Sequence, residues 1–466
     1  MMSELKVGFC RLDVTPPLGI RLMGNNNIRR AENILDALEI SVLALECGED
    51  KVLLVSMDAL YPYEHAYIRE LLSEKFGIPQ EAIFVHGTHI HTGPMIDRFF
   101  GQEATASGSS SPSVAQLCSA ATGQVPDEDA EKIVTYTKLF LNKVVDAADY
   151  ALRDLVSAKL GYAVSQAPNI AFIRRFRMKD GSIATNPGMG NPDIAEPLAE
   201  VDERVNVLRF DREDGKTYVL CNFGCHPDTT NRLNITADWP GIFRRTTERA
   251  LDNVKCIFFT GAQGDVNHLD VKHGLECGWD GYDYRNAIHL GHVVAGAVLQ
   301  VFHKVRYVEV DSLRYIQEEV DFPTNRGTPD QLPEAHRIMD IYNKYGAKAL
   351  PLSGSARAAN IAEARRMVQL ENGPDFYPIR ISAVAIGNIA MIGLPCEPFT
   401  ALGLALKQAP GWDLVLPCCL TNGHWGYVGM EQNYIEASYE TRGSRLKSGC
   451  GEQMIENGLR LLEKIR

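Results

Sequence analysis

The sequence is short of basic charge, of Cys-x-x-Cys pairs and of long apolar runs, and each shortage removes a class of function. Forty-seven Lys and Arg stand against 59 Asp and Glu, a formal charge of -12, which leaves no basic stripe to hold a phosphate backbone and argues against a nucleic-acid partner. Eleven cysteines, an odd number scattered without a Cys-x-x-Cys spacing, suit buried thiols in a reducing compartment better than a disulfide framework. No window approaches the apolar length of a membrane span, and Met1-Met2-Ser3-Glu4-Leu5-Lys6-Val7 has no apolar core after a basic start. No amphipathic anchor is evident. The expectation is a cytoplasmic protein with no stable membrane anchor, and a homo-oligomer is allowed. No internal repeat is present.

What is present is an ordinary globular composition, 45% hydrophobic and 23% charged, sufficient for a sizeable core. Length alone suggests about two to three domains, but large single α/β domains exist, and the chain is read as one domain over 1–466. Histidine is sparse, 12 in all, yet three of them fall within residues 86–91, inside Ile83-Phe84-Val85-His86-Gly87-Thr88-His89-Ile90-His91-Thr92-Gly93-Pro94. If this run is extended, His89 and His91 share one face, and two imidazoles on one face can grip a metal.

Along the chain, Val7–Val14, Leu38–Glu46 and Val52–Met57 read as strands, and the double proline Pro16-Pro17 breaks the first run. Leu22-Met23-Gly24-Asn25 reads as a loop whose glycine allows close backbone approach to a ligand. Tyr63–Phe76 has helical spacing and stops at Gly77. Residues 95–127, rich in Ser, Gly and Ala, read as a flexible loop or a lid. Asp127 is expected to cap a helix to about Leu155, with Ile133, Leu139, Phe140, Val144, Val145 and Ala148 on its apolar stripe. Asp-Gly turns at 180–181 and 214–215 mark two hairpins. A helix over Pro240–Asp252, a strand over Val254–Thr260 and helices over Tyr284–Val305 and within Pro329–Leu370 follow. Strands at Ser312–Phe322, Tyr377–Ile386 and Ile389–Leu394 precede a last helix at Glu452–Ile465. The alternation predicts a layered α/β fold, a mixed β-sheet with flanking helices and an active site at strand ends.

Three of these strands finish in a metal-competent side chain beside glycine or proline: His89, His226 in Cys225-His226-Pro227, and Glu397 in Pro395-Cys396-Glu397-Pro398. Together with Asp13-Val14-Thr15-Pro16-Pro17, Gly264-Asp265-Val266, Tyr427 and Tyr439, these motifs resemble those of the neutral ceramidases and their bacterial relatives, in order across nearly the whole chain. The resemblance implies a Zn2+ site with His89, His226, Glu397 and Tyr427 as ligands. It also implies that His91, Tyr439, Arg174 and the backbone of Gly24 contact substrate oxygens. Only strand alternation separates Arg174 from Arg175 and Arg177. Asp265 is counted with the catalytic groups, and Gly261, which stands where the family has a serine, and His424 with those near the substrate; His424 is also a candidate for proton transfer. Asp238 matches an acid expected to orient a ligand.

The implied function is zinc-dependent hydrolysis of an amide, with ester or lactone hydrolysis by the same site as the near alternative. A ligand-binding relative without turnover is the reading from another class. Extracellular ceramidases carry a secretion signal and a C-terminal β-sandwich domain; this sequence shows neither, so a small soluble substrate is expected. Cys225 reads as an inert buried thiol, His289 and His292 as an exposed or core-capping helix pair, and the glycines at 261 and 264 lack the ending of a phosphate loop.

Overall fold

A computed structural model describes residues 4–24, 28–100, 127–230, 233–272 and 281–466. Most of the expected loop or lid lies outside these, as do Asn25 and the side chain of Asp127.

Nine strands form the larger sheet: β1 (Leu5–Asp13), β2 (Glu39–Cys47), β3 (Asp50–Met57), β4 (Ile83–Gly87), β5 (Val156–Gln166), β6 (Arg204–Arg212), β7 (Thr217–Phe223), β8 (Val254–Thr260) and β9 (Arg306–Val308). They lie in the order β8-β7-β6-β5-β1-β2-β3-β4, with β9 beside β5. Only β3 with β4 and β7 with β8 pair in parallel. The expected hairpin turns join β6 to β7 and, in a small three-stranded sheet, Arg175–Met178 to Ile183–Thr185. Every residue of β4 is buried, as its unbroken apolar run requires of a strand covered on both faces.

The sheet curls until its two edges meet. Thr260 N–H donates to His86 Nε2 at 3.0 Å, and Thr260 Oγ1 donates to the carbonyl of Thr88 at 3.1 Å. A second sheet, β10 (Leu313–Pro323), β11 (Phe376–Ile386), β12 (Ile389–Gly393) and β13 (Leu414–Cys418), shares a core with the first through Val384, Ile386, Met391 and Leu416. The chain leaving β13 fills the seam, for Cys419 N–H donates to Thr260 O, Gly87 N–H to Leu420 O and Asn422 N–H to Val85 O. Unpaired edges of a sheet must find partners. Here the pairing brings the ends of β4, β7, β12 and β13 to one place.

Helices flank the sheets as expected: α1 (His65–Phe76), α2 (Asp127–Arg153) over β1 and β2, α3 (Asp238–Ala250) on β8, and α4 (Tyr284–Val301) against α3. The mostly helical stretch Pro329–Leu370 holds two helices, α5 (Leu332–Tyr345) and α6 (Gly354–Leu370), because Gly346 takes φ 78 and ends the first. Helices α7 (Thr400–Leu406), α8 (Glu431–Glu436), α9 (Tyr439–Arg442) and α10 (Cys450–Lys464) complete the order. No helix among the described residues is long and apolar enough to cross a membrane.

Two expectations need correction. The histidine run is not extended to His91: β4 stops at Gly87, and His89 takes φ 72, so a left-handed turn, not strand alternation, aims these side chains. On α2, Leu139 is 57% exposed while Ile133, Phe140, Val144 and Ala148 are buried. Position 139 is one residue, about 100°, off the stripe through 133, 140, 144 and 148. Phe140→Ala is therefore expected to lose about 3–5 kcal/mol and Leu139→Ala less than about 0.5 kcal/mol, measured by urea unfolding of each variant.

Candidate metal centre

Three imidazoles converge just beyond the strand ends. The nearest ring nitrogens of His89, His91 and His226 all lie within 4.8 Å of one another. Each holds its ring by the other nitrogen: His89 Nδ1 faces the carbonyl of Leu60, His226 Nδ1 that of Val266 and His91 Nδ1 that of Gly24, all at 2.8 Å. A carbonyl only accepts, so each Nδ1 carries the proton and each Nε2 presents a lone pair. Those lone pairs face one another and a carboxylate. His89 Nε2 is 3.3 Å from His91 Nε2 and 3.1 Å from Glu397 Oε2, which is 3.2 Å from His226 Nε2.

Acceptors this close repel unless a cation lies between them. The two spacings from Glu397 Oε2 match the edges of a tetrahedron with ligand bonds of 2.0–2.1 Å, about 3.3 Å. The donor set therefore fits a divalent metal of the zinc type. Burial holds His226 down to about 4, with Arg174 adding to the effect, so protonation of that ring does not relieve the repulsion at neutral pH.

His86, the third histidine of the run, belongs to the scaffold. Its Nδ1 donates to Cys419 O at 2.9 Å and its Nε2 accepts from Thr260, so both nitrogens are used.

Glu397 and Tyr427 are register partners in a short parallel pair of strands, which places both side chains on one side. The Tyr427 ring lies 6.3 Å from that of His226 and 6.1 Å from that of Tyr439. Burial and Glu397 push the Tyr427 phenol well up, and the guanidinium of Arg174, 5.1 Å from the ring centroid, opposes them. Arg174 is buried: it donates to Gly264 O at 2.7 Å, and its Nε lies 2.8 Å from Glu440 Oε1 with the N–H pointing off that oxygen, so the contact is charge pairing. Arg175 points the other way, to Ser438 Oγ and Glu436, and Arg177 pairs with Glu196 at the surface.

The structure gives other expected residues different neighbours. Gly24 takes φ 92 and approaches His91 so closely that a Cβ would lie 2.7 Å from His91 Cα; its glycine is required by the imidazole it holds. Asp265 accepts from both N–H and Oγ1 of Thr400 at 2.8 Å and so fixes the start of α7. Gly261 donates to Phe223 O and packs on the Phe223–Gly224 backbone. His424 sets Nε2 3.3 Å from Glu397 Oε1 and stacks on Tyr61 at 3.6 Å. Among the described residues Asp238 accepts no hydrogen bond from a histidine. It accepts from Thr229 N, Thr229 Oγ1 and Trp239 N, and so fixes the turn after His226. His289 and His292 lie exposed on α4. Glu440, Tyr61 and the Leu60 carbonyl carried no signal in the sequence, since a lone acid beside Tyr439 and a tyrosine in Tyr61-Pro62-Tyr63 fit no spacing rule.

Among solved structures the chain is similar to neutral ceramidase from Pseudomonas aeruginosa, with a TM-score of 0.72 and 16% identity over 99% of this chain and 75% of that one. The fold is that of the neutral ceramidases. A ceramidase complexed with C2 is similar to the same degree, with a TM-score of 0.71 and 15% identity over 99% and 76% of the two chains. No family model matches the chain, and no curated protein does. The likeness in fold agrees with the ordered motifs that resembled the neutral ceramidases, although pairwise identity is this low.

Burial raises Asp238 to about 7, with Asp228 adding to the effect against the hydrogen bonds from Thr229 and Trp239. The folded state then holds a proton that the unfolded chain releases near pH 4, so stability falls as pH rises from about 4 to 7 and levels off above. Asp238→Asn is expected to flatten that slope, measured as urea stability against pH, whereas an unchanged slope would place the titration elsewhere.

Proposed function

We propose that this protein is a zinc-dependent hydrolase that cleaves the amide bond of a small N-acyl compound. The observation that carries the proposal is the ring of facing acceptors, His89 Nε2, His226 Nε2 and Glu397 Oε2, joined by His91 Nε2. The neutral ceramidase fold supports the choice of an amide. Zinc, when bound, acts as a Lewis acid and brings the pKa of water from about 15.7 to about 7, so that hydroxide is available at neutral pH.

His89, His226 and Glu397 hold the ion, with Tyr427 as the fourth ligand, and Arg174 offsets the charge that the buried phenol would carry as phenolate. Tyr439, whose hydroxyl burial keeps protonated, donates to the carbonyl oxygen of the substrate as that oxygen gains charge. The tautomer of His91 changes its assignment. With Nδ1–H bound to Gly24 O, its Nε2 has no proton to donate and is suited to accept one from water. Once protonated it can pass that proton to the departing amine. The described cysteines are free and nearly all buried, which supports a reducing compartment, and we place the enzyme in the cytoplasm.

The test is the metal content of purified protein together with hydrolysis of a panel of N-acyl compounds. Wild type is expected to hold one zinc per chain. His89→Ala and Glu397→Gln are expected to lose the metal and more than about 100-fold in activity, and Tyr439→Phe to keep the metal while kcat falls about 100- to 1000-fold. Full turnover by metal-free protein would refute the proposal.

A further inference from the structure

Three imidazoles contact Glu397, and that of His424 is built in the opposite sense to the other two. His424 Nε2 lies 3.3 Å from Glu397 Oε1, on the oxygen that does not face His89 and His226. Its Nδ1 is buried and meets no hydrogen-bond partner among the described residues. Were the proton on Nδ1, a buried donor would be unsatisfied and the Nε2 lone pair would face a carboxylate oxygen. With the proton on Nε2, only an acceptor is left unpaired and Glu397 gains a donor, which is the cheaper arrangement. His424 is thus of the opposite tautomer to the three histidines that offer lone pairs.

Resting on the reading of this site as a metal centre, we infer that His424 is a positioning residue for Glu397: it donates Nε2–H to Oε1 and so presents Oε2 alone to the metal. One face of the ring is held for this task. Tyr61 stacks on it with 3.6 Å between centroids and 26° between planes, and the neighbouring carbonyl of Leu60 fixes the tautomer of His89. The backbone just after His424 is tied to the glutamate segment, Trp425 N–H donating to Pro395 O at 2.8 Å and Glu397 N–H to Gly426 O at 2.9 Å. One stretch, Leu60–Tyr61, therefore orients a ligand histidine with its backbone and the carboxylate's donor with its side chain. A carboxylate with one oxygen engaged cannot rotate to offer both, and outer partners of this kind set metal affinity.

The experiment titrates zinc into chelator-stripped protein against a competing chelator, comparing wild type, His424→Phe and His424→Gln. Phenylalanine keeps the stacking on Tyr61 and lacks the donor; glutamine keeps a donor and lacks the ring. His424→Phe is expected to bind zinc about 10- to 100-fold more weakly, and His424→Gln to recover most of the loss. Tyr61→Leu, which releases the ring without touching Glu397, is expected to weaken binding severalfold and serves if the phenylalanine variant gives no cooperative thermal transition. Wild-type affinity in His424→Phe or in Tyr61→Leu, or a glutamine variant as weak as phenylalanine, overturns the role of His424 alone. A wild-type protein that binds no divalent ion overturns the metal centre itself and this inference with it.

Discussion

The structure turns on one electrostatic conflict, several hydrogen-bond acceptors held with their lone pairs toward a common point. Backbone carbonyls at Leu60, Gly24 and Val266 create it, because each takes the Nδ1 proton of one histidine and leaves its Nε2 bare. In a chain with no other purpose for the arrangement, rotating any one ring would remove the repulsion. The rings are instead fixed by bonds of 2.8 Å from three separate loops, and Glu397 brings a negative oxygen to within 3.2 Å of two of them. A folded protein tolerates such a concentration of acceptors when a cation offsets it.

Around this conflict the packing reads as support. Asp238 braces the turn after His226, Asp265 braces α7 after Glu397, and Gly264 comes so near Glu397 O that a Cβ would sit 2.4 Å from it. Buried acids that do not face the site still decide where the site's atoms stand. Arg174 and Glu440 form a further buried pair beside Tyr427, which keeps a full positive charge near a phenol without exposing it to water.

Much of the architecture was legible because it is written in local pattern. The apolar run Ile83–Val85, the Asp-Gly turns and the stop at Gly77 each mark an element whose cause is next to it in sequence. His89, His226 and Glu397 were visible because each falls within four residues of a strand's end. What sequence could not show is the geometry made by contacts far along the chain. Alternation suggested that His89 and His91 share a strand face, yet a left-handed residue and the carbonyls of Leu60 and Gly24 aim them. Asp265 looked like a reactive acid beside glycine, and only Thr400, 135 residues later, shows how its oxygens are used. Tyr61 and Glu440 were silent for the same reason.

The seam where Cys419–Asn422 fills the gap between β4 and β8 has a bearing on how the molecule is born. Histidines near residue 90 cannot meet a glutamate near 400 until the last strands have left the ribosome, and long loops between such partners close slowly. During synthesis the early histidines are therefore loose donors with no defined cage. A cation taken up by these facing acceptors would have to reach a chain already folded past residue 397, and its arrival would register completion of the fold.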